Sequence, residues 1–134
     1  MDIKKEKVLC QKQWAKNKYL VLSYSSKIYL EIRTYLKQEE VYLEKVNKLI
    51  KQAINLPEDK GQVTNALHHV WGYFKKFATK EEKDNFFDMI EDYHINKTTK
   101  EDLIEEVKKL LEKYPNTYLE QSTFINGGKD ETLA

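Results

Sequence analysis

A single cysteine, Cys10, stands in the 134 residues. That excludes an internal disulfide and any metal or iron–sulfur site built from several thiolates of one chain. Histidine is nearly as scarce: there are three, and two of them, His68 and His69, are adjacent. So few ligands argue against a structural zinc site, and no metal or cofactor is expected. No apolar run approaches the roughly 18 residues a membrane span needs, and no charged-then-apolar leader opens the chain. The expectation is a cytoplasmic protein with no membrane contact. The sequence also lacks GxxxxGK[ST], GxSxG, HExxH and any glycine-rich phosphate loop, so no standard NTPase, hydrolase or metalloprotease is indicated. Cys10 sits among lysines, which would lower a thiol's pKa, yet no histidine is near it in sequence. An ordinary, partly buried thiol is expected.

Only two prolines and four glycines occur, and what lies between them has a helical period. A first helix runs from about Ile3 to Tyr24, with Val8, Ala15, Tyr19 and Leu22 on one stripe. "SYSS" (23–26) breaks it, and Ser25 or Ser26 caps a second helix carrying Ile28, Ile32, Tyr35 and Leu36. A third covers about Glu39 to Asn55, with Leu43, Val46, Leu49, Ile50 and Ala53 at steps of three and four. In "NLPEDKG" Pro57 stops that helix and Gly61 frees the backbone for the next. A fourth spans about Gln62 to Ala78. "TKEE" forms a capping box of Thr79 and Glu82 that starts a fifth, ending near Tyr93. Thr98 and Glu101 repeat the device for a sixth, through Lys113, and Pro115 ends it. "NTYLEQSTF" is expected to add one further turn. The fold predicted is an all-α, single compact bundle of about six helices over residues 1–126, with 127–134 as a flexible tail.

Net charge is only +1, but its distribution is uneven. Residues 1–76 hold 15 Lys and Arg against 8 Asp and Glu, and the remainder hold 8 against 14. Such a split marks either a face for nucleic acid or complementary helices packed together. Glu81, Asp84, Asp88 and Glu91 share one face of the fifth helix; the lysines among them read as a solvated surface rather than a Mg²⁺ site.

The stretch "NALHHVWGYFKK" (65–76) concentrates unusual residues. Val63, Ala66, Leu67, Val70, Phe74 and Phe77, widened by Trp71, form an apolar stripe. The reverse side reads Asn65, His68 or His69, Gly72, and Lys75 or Lys76, again at steps of three and four. Glycine costs a helix interior about 1 kcal/mol against alanine, so its place here suggests a shallow gap for another backbone, a neighbouring helix or a phosphodiester. Tyrosines are also numerous. Tyr19, Tyr24, Tyr29, Tyr35, Tyr42, Tyr73 and Tyr93 suit half-exposed surfaces, and one or two of them are candidates for stacking on bases.

"KNKYLVLSYSSKIY", "NALHHVWGYFKK", "FFDMIEDYH" and "LLEKYPNTYLEQSTFIN", taken in order, resemble the YbgA-like domain of unknown function over about Gln13 to Asn126. That family occurs alone and fused C-terminally to a desulfidase-like domain of the thiouracil desulfidase type, which uses cysteine-held iron–sulfur chemistry on thiolated uracil. In the fused proteins the YbgA-like part is the candidate for holding tRNA. The resemblance thus implies an RNA-handling accessory domain linked to thiolated-uridine metabolism. With one cysteine, such a chain would need a partner protein for the chemistry.

Three functional readings follow. In the first, the chain is a non-catalytic module for tRNA or other RNA. Lys16, Lys18, Lys27, Arg33, Lys75 and Lys76 would meet phosphates, and Asn65 and His68 or His69 would contact sugar or base beside Gly72 and Tyr73. In the second, His68 or His69 is a general acid or base with Tyr73 or a carboxylate of the fifth helix. In the third, the chain is an adaptor docking on a separate desulfidase-like protein. The first is carried forward.

Overall fold

The computed structural model describes residues 2–127. Most of its long helices begin where a short polar side chain captures a free backbone N–H. Asp2 accepts from the Lys4 amide at the start of α1 (Ile3–Tyr24), and Ser25 from the Ile28 amide at the start of α2 (Ser26–Tyr35). Asp59 does so for α4 (Lys60–Trp71), Thr79 for α5 (Lys80–His94) and Thr99 for α6 (Lys100–Lys113). The Thr79–Glu82 capping box is complete, each side chain bonding the other residue's amide. Two single-turn helices, α7 (Thr117–Glu120) and α8 (Thr123–Asn126), follow α6. The fold is all-α, and no strand occurs among the described residues.

Several boundaries differ from the sequence reading. α3 (Leu43–Ile54) starts four residues later than expected. Buried Val41 anchors the preceding loop, and the Tyr42 amide donates to the Tyr35 hydroxyl at 2.8 Å, which holds residue 42 extended. α4 starts two residues early because Asp59 caps it, so Gly61 lies within its first turn. In α6 the cap is Thr99 rather than Thr98, whose hydroxyl instead donates to the Asp102 carboxylate at 2.8 Å. The expected C-terminal tail falls almost wholly outside the described residues.

Two apolar clusters share α1. Cys10 and Val21 of α1 pack with Ile32, Tyr35, Val41, Val46, Ile50 and Ala53 of the α2–α3 side. Tyr19 and Leu22 pack with Val63, Leu67, Val70, Trp71 and Phe74, with Phe86, Ile90 and Tyr93 of α5, and with Leu103, Val107 and Leu110 of α6. Each fully buried side chain of this size contributes about 1.5–3 kcal/mol against exposure. Trp71 lies nearly parallel to Phe86, ring centres 5.3 Å apart. Val8, expected on the buried stripe of α1, is 46% exposed, because that helix turns Cys10 inward at this level. No helix among the described residues is long and apolar enough to cross a membrane.

Candidate nucleic-acid interface

α4 has the two sides its sequence predicts. Val63, Ala66, Leu67, Val70 and Trp71 are buried, whereas Asn65, His68 and His69 are exposed, as are Gly72, Lys75 and Lys76 beyond its end. The histidines diverge. His69 Nδ1 lies 2.9 Å from the Asn65 carbonyl, back along its own helix. The His68 ring leans toward α5, 5.4 Å from the Phe87 ring.

Gly72 does not open a gap inside a helix; it ends one. The α-helix closes at Trp71, and Gly72 is its C-cap with right-handed backbone angles, φ −54° and ψ −25°. The amides of Gly72, Tyr73 and Phe74 bond to the carbonyls three residues back, at His69, Val70 and Trp71. This tighter winding turns each residue by about 120° instead of about 100°. The row extrapolated from Asn65 to Lys76 on an α-helical period is therefore not continued. Phe77, expected in the core, is 65% exposed for the same reason, and its ring stacks on Tyr114 at 6.3 Å. A side chain at Gly72 would meet only the His69 carbonyl oxygen, at 3.1 Å, so no second helix enters there.

The fold instead gathers residues around Tyr73. Its hydroxyl sits 2.7 Å from that of Tyr19, and the two rings meet edge-on with centres 6.0 Å apart. Its ring lies nearly parallel to Tyr118 of α7, at 6.2 Å and 16°. Half-buried Lys18 completes the group: its ammonium is 5.1 Å from the centre of the Tyr118 ring and 5.2 Å from that of Tyr19. Burial alone would lower the Lys18 ammonium, but the phenols of Tyr118, Tyr73 and Tyr29 together more than offset it and hold the group above its ordinary pKa. Burial and the Tyr73 hydroxyl push the Tyr19 phenol well above its usual range. Of the residues proposed from sequence, Lys18 and Tyr73 are thus brought together. Lys16 is half-buried on α1, Arg33 is exposed on α2, and Lys27 borders a separate α2–α3 groove with Leu30, Thr34 and Tyr35.

Tyr118 was missed by the sequence reading, as was Tyr114. The only signal was their place in "KYPNTYLEQ", since a contact between residues 73 and 118 leaves no local spacing.

The ion pairs gather on α6. Lys100 pairs with Glu58, Lys108 with Glu105, Lys109 with Glu106 and Lys113 with Glu82, at 3.2–3.9 Å. By contrast, Lys18, Lys27, Arg33, Lys75 and Lys76 have no carboxylate partner among the described residues. Glu82 gathers the Tyr114 hydroxyl at 2.6 Å, the Thr79 amide and Lys113, which hold its carboxyl down at about 2.

The remaining sequence candidates separate from this region. Cys10 is fully buried; burial first, and Glu6 second, push its thiol up rather than down. No three His, Cys, Asp or Glu side chains converge on a metal position among the described residues. A cleft of about 520 Å³ between α1, α6 and α8, with Leu20, Ile104 and Phe124 among its walls, contains Tyr24 but none of the proposed cations or histidines.

The chain matched no curated protein and no solved structure. A family model described as a protein of unknown function, DUF1722, matches residues 18–127. The match takes in the Lys18–Tyr19–Tyr73–Tyr118 group and all of α2 to α8, and on it the chain belongs to this YbgA-like family of unknown function.

Proposed function

We propose that the chain is a non-catalytic, cytoplasmic RNA-binding module, with tRNA as the expected ligand and any chemistry on thiolated uridine left to a partner protein. The observation that supports this reading is that many cations have no acidic partner among the described residues, Lys18, Lys27, Arg33, Lys75 and Lys76 among them. If the uneven charge of the two halves served only to pack helices together, the lysines of the first half would meet the carboxylates of the second. The four ion pairs described above do not have that arrangement: each draws its lysine from α6. Cations left unneutralised by the protein are the ones that displace counterions from a phosphate backbone. Lys75 and Lys76 stand within three residues of Tyr73, which joins them along the chain to the Lys18 group.

A gel shift with total tRNA at low salt tests the reading. Retardation at micromolar protein that disappears as salt is raised is the expected result. Absence of any shift at low salt ends it.

A further inference from the structure

Resting on the RNA-binding reading, we infer that Tyr118 and Lys18 form a seat for an unpaired nucleotide, with the base on the Tyr118 ring and the phosphate at the Lys18 ammonium. Three observations converge on this. First, Tyr118 is 40% exposed although its ring already lies against Tyr73. One side of the ring is therefore braced, the Lys18 ammonium lies against the ring as well, and two-fifths of the residue still meets solvent. A braced aromatic loses little freedom when a second ring settles on it, which suits a stacking platform.

Second, the ammonium of Lys18 is held in place before any ligand arrives. It lies 5.1–5.2 Å from the centres of two rings, and no carboxylate pairs with it among the described residues. A half-buried cation whose neighbours are phenols keeps its charge for an external anion. Third, the brace is itself anchored, because the Tyr73 hydroxyl bonds to that of buried Tyr19. Cation and platform thus belong to three separate parts of the chain that the core holds in register.

The chemistry favours single strands over duplexes. A paired base shows its edge to a groove and keeps its face inside the stack, whereas the Tyr118 ring offers a face and no array of donors for base edges. The recognised feature is a base free to leave its stack next to a phosphate within reach of a lysine, as in a loop, bulge or single-stranded end.

Fluorescence anisotropy with a labelled oligouridylate and a blunt RNA duplex of equal length tests the inference. The wild type is expected to bind the single strand about tenfold more tightly, the scale of one base–aromatic stack. Tyr118→Leu should remove that preference, and Tyr118→Phe should retain it. Lys18→Gln should weaken single-strand binding while leaving the tyrosine contacts. A second readout needs no substitution: an oligonucleotide carrying 5-iodouridine should photocrosslink to Tyr118 or Tyr73. Equal binding of strand and duplex, an unchanged preference in Tyr118→Leu, or crosslinks confined to other residues would each overturn the nucleotide seat and leave RNA binding standing. Absence of binding to either RNA, at low salt, would remove both.

Discussion

Tyr19 and Tyr73, 54 positions apart in the chain, place their hydroxyls 2.7 Å from each other. That contact fixes the segment after α4 against α1, and with it the ring on which Tyr118 rests. Only one hydroxyl can donate in it, and the buried Tyr19 ring keeps its phenol protonated far beyond neutral pH. Changing either residue to phenylalanine removes the bond and leaves the other hydroxyl without this partner. Tyr19→Phe is expected to cost about 1 kcal/mol and to lower Tm by roughly 3–5 °C. In Tyr19→Phe/Tyr73→Phe the second change should cost much less, because the bond is already gone. Thermal denaturation of the four proteins measures this; strictly additive losses would show that the two hydroxyls act separately.

A second tie joins the two ends of the described chain. Thr123 of α8 donates its hydroxyl to Asn17 Oδ1 at 2.7 Å, and Asn17 is fully buried. Thr123→Val keeps the shape and removes the donor, so a buried amide oxygen loses that partner at a cost of about 1–3 kcal/mol. Thr123→Ser should retain most of the stability. A shift of the urea midpoint in the valine variant that serine does not share is the expected result.

Much of this fold was legible because its signals are local. Ser25 and Thr79 announce helix starts within three residues, and the α4 stripe announces its buried side by steps of three and four. The failures have two causes, competition between adjacent capping residues and contacts between segments far apart in the chain. Asp59 caps α4 and starts it two residues ahead of Gln62, and Thr99 displaced Thr98 by one residue. The stripe failed at Phe77 because winding tightens after Trp71, where Gly72 takes the C-cap. The Lys18–Tyr118 contact spans a hundred residues and depends on how α7 folds back. The α4 stripe therefore gave the buried side of that helix, whereas the row drawn from Asn65 to Lys76 is not continued past Trp71.

Acid should expose the role of Glu82. Its carboxyl is held at about 2 by the Tyr114 hydroxyl, the Thr79 amide and Lys113, against about 4.3 for a free glutamate. A folded pKa below the unfolded one adds stability that is complete above the unfolded value and is lost as pH falls from about 4.3 toward 2. Glu82→Gln should therefore be less stable than the wild type at pH 7, with the difference narrowing through that window. Urea midpoints at pH 7, 4 and 2.5 check the sign: a gap that stays constant would detach the carboxyl from acid stability.

Gly72 offers a test that separates folding from binding. Its φ of −54° suits any residue, and it is exposed, so no left-handed backbone demands glycine there. Alanine reduces the freedom of the unfolded chain, worth about 0.4–1 kcal/mol, but its Cβ would press on the His69 carbonyl oxygen at 3.1 Å. The two effects oppose, and Gly72→Ala should fall within about 0.5 kcal/mol of the wild type. Unchanged Tm combined with unchanged RNA affinity would assign the glycine to neither role.

Salt titration decides how much of the binding belongs to the lysines after α4. Each phosphate neutralised on a single strand adds about 0.7 to the slope of log affinity against log salt. Lys75 and Lys76 are both exposed and have no carboxylate partner among the described residues. If both meet phosphates, Lys75→Gln/Lys76→Gln should flatten the slope by about 1.4 and leave Tm nearly unchanged. With Tm unchanged, a weaker slope does not come from a loosened fold. An identical slope in the double variant would move the phosphate contacts to Lys18, Lys27 and Arg33, on the α1 and α2 side of the molecule.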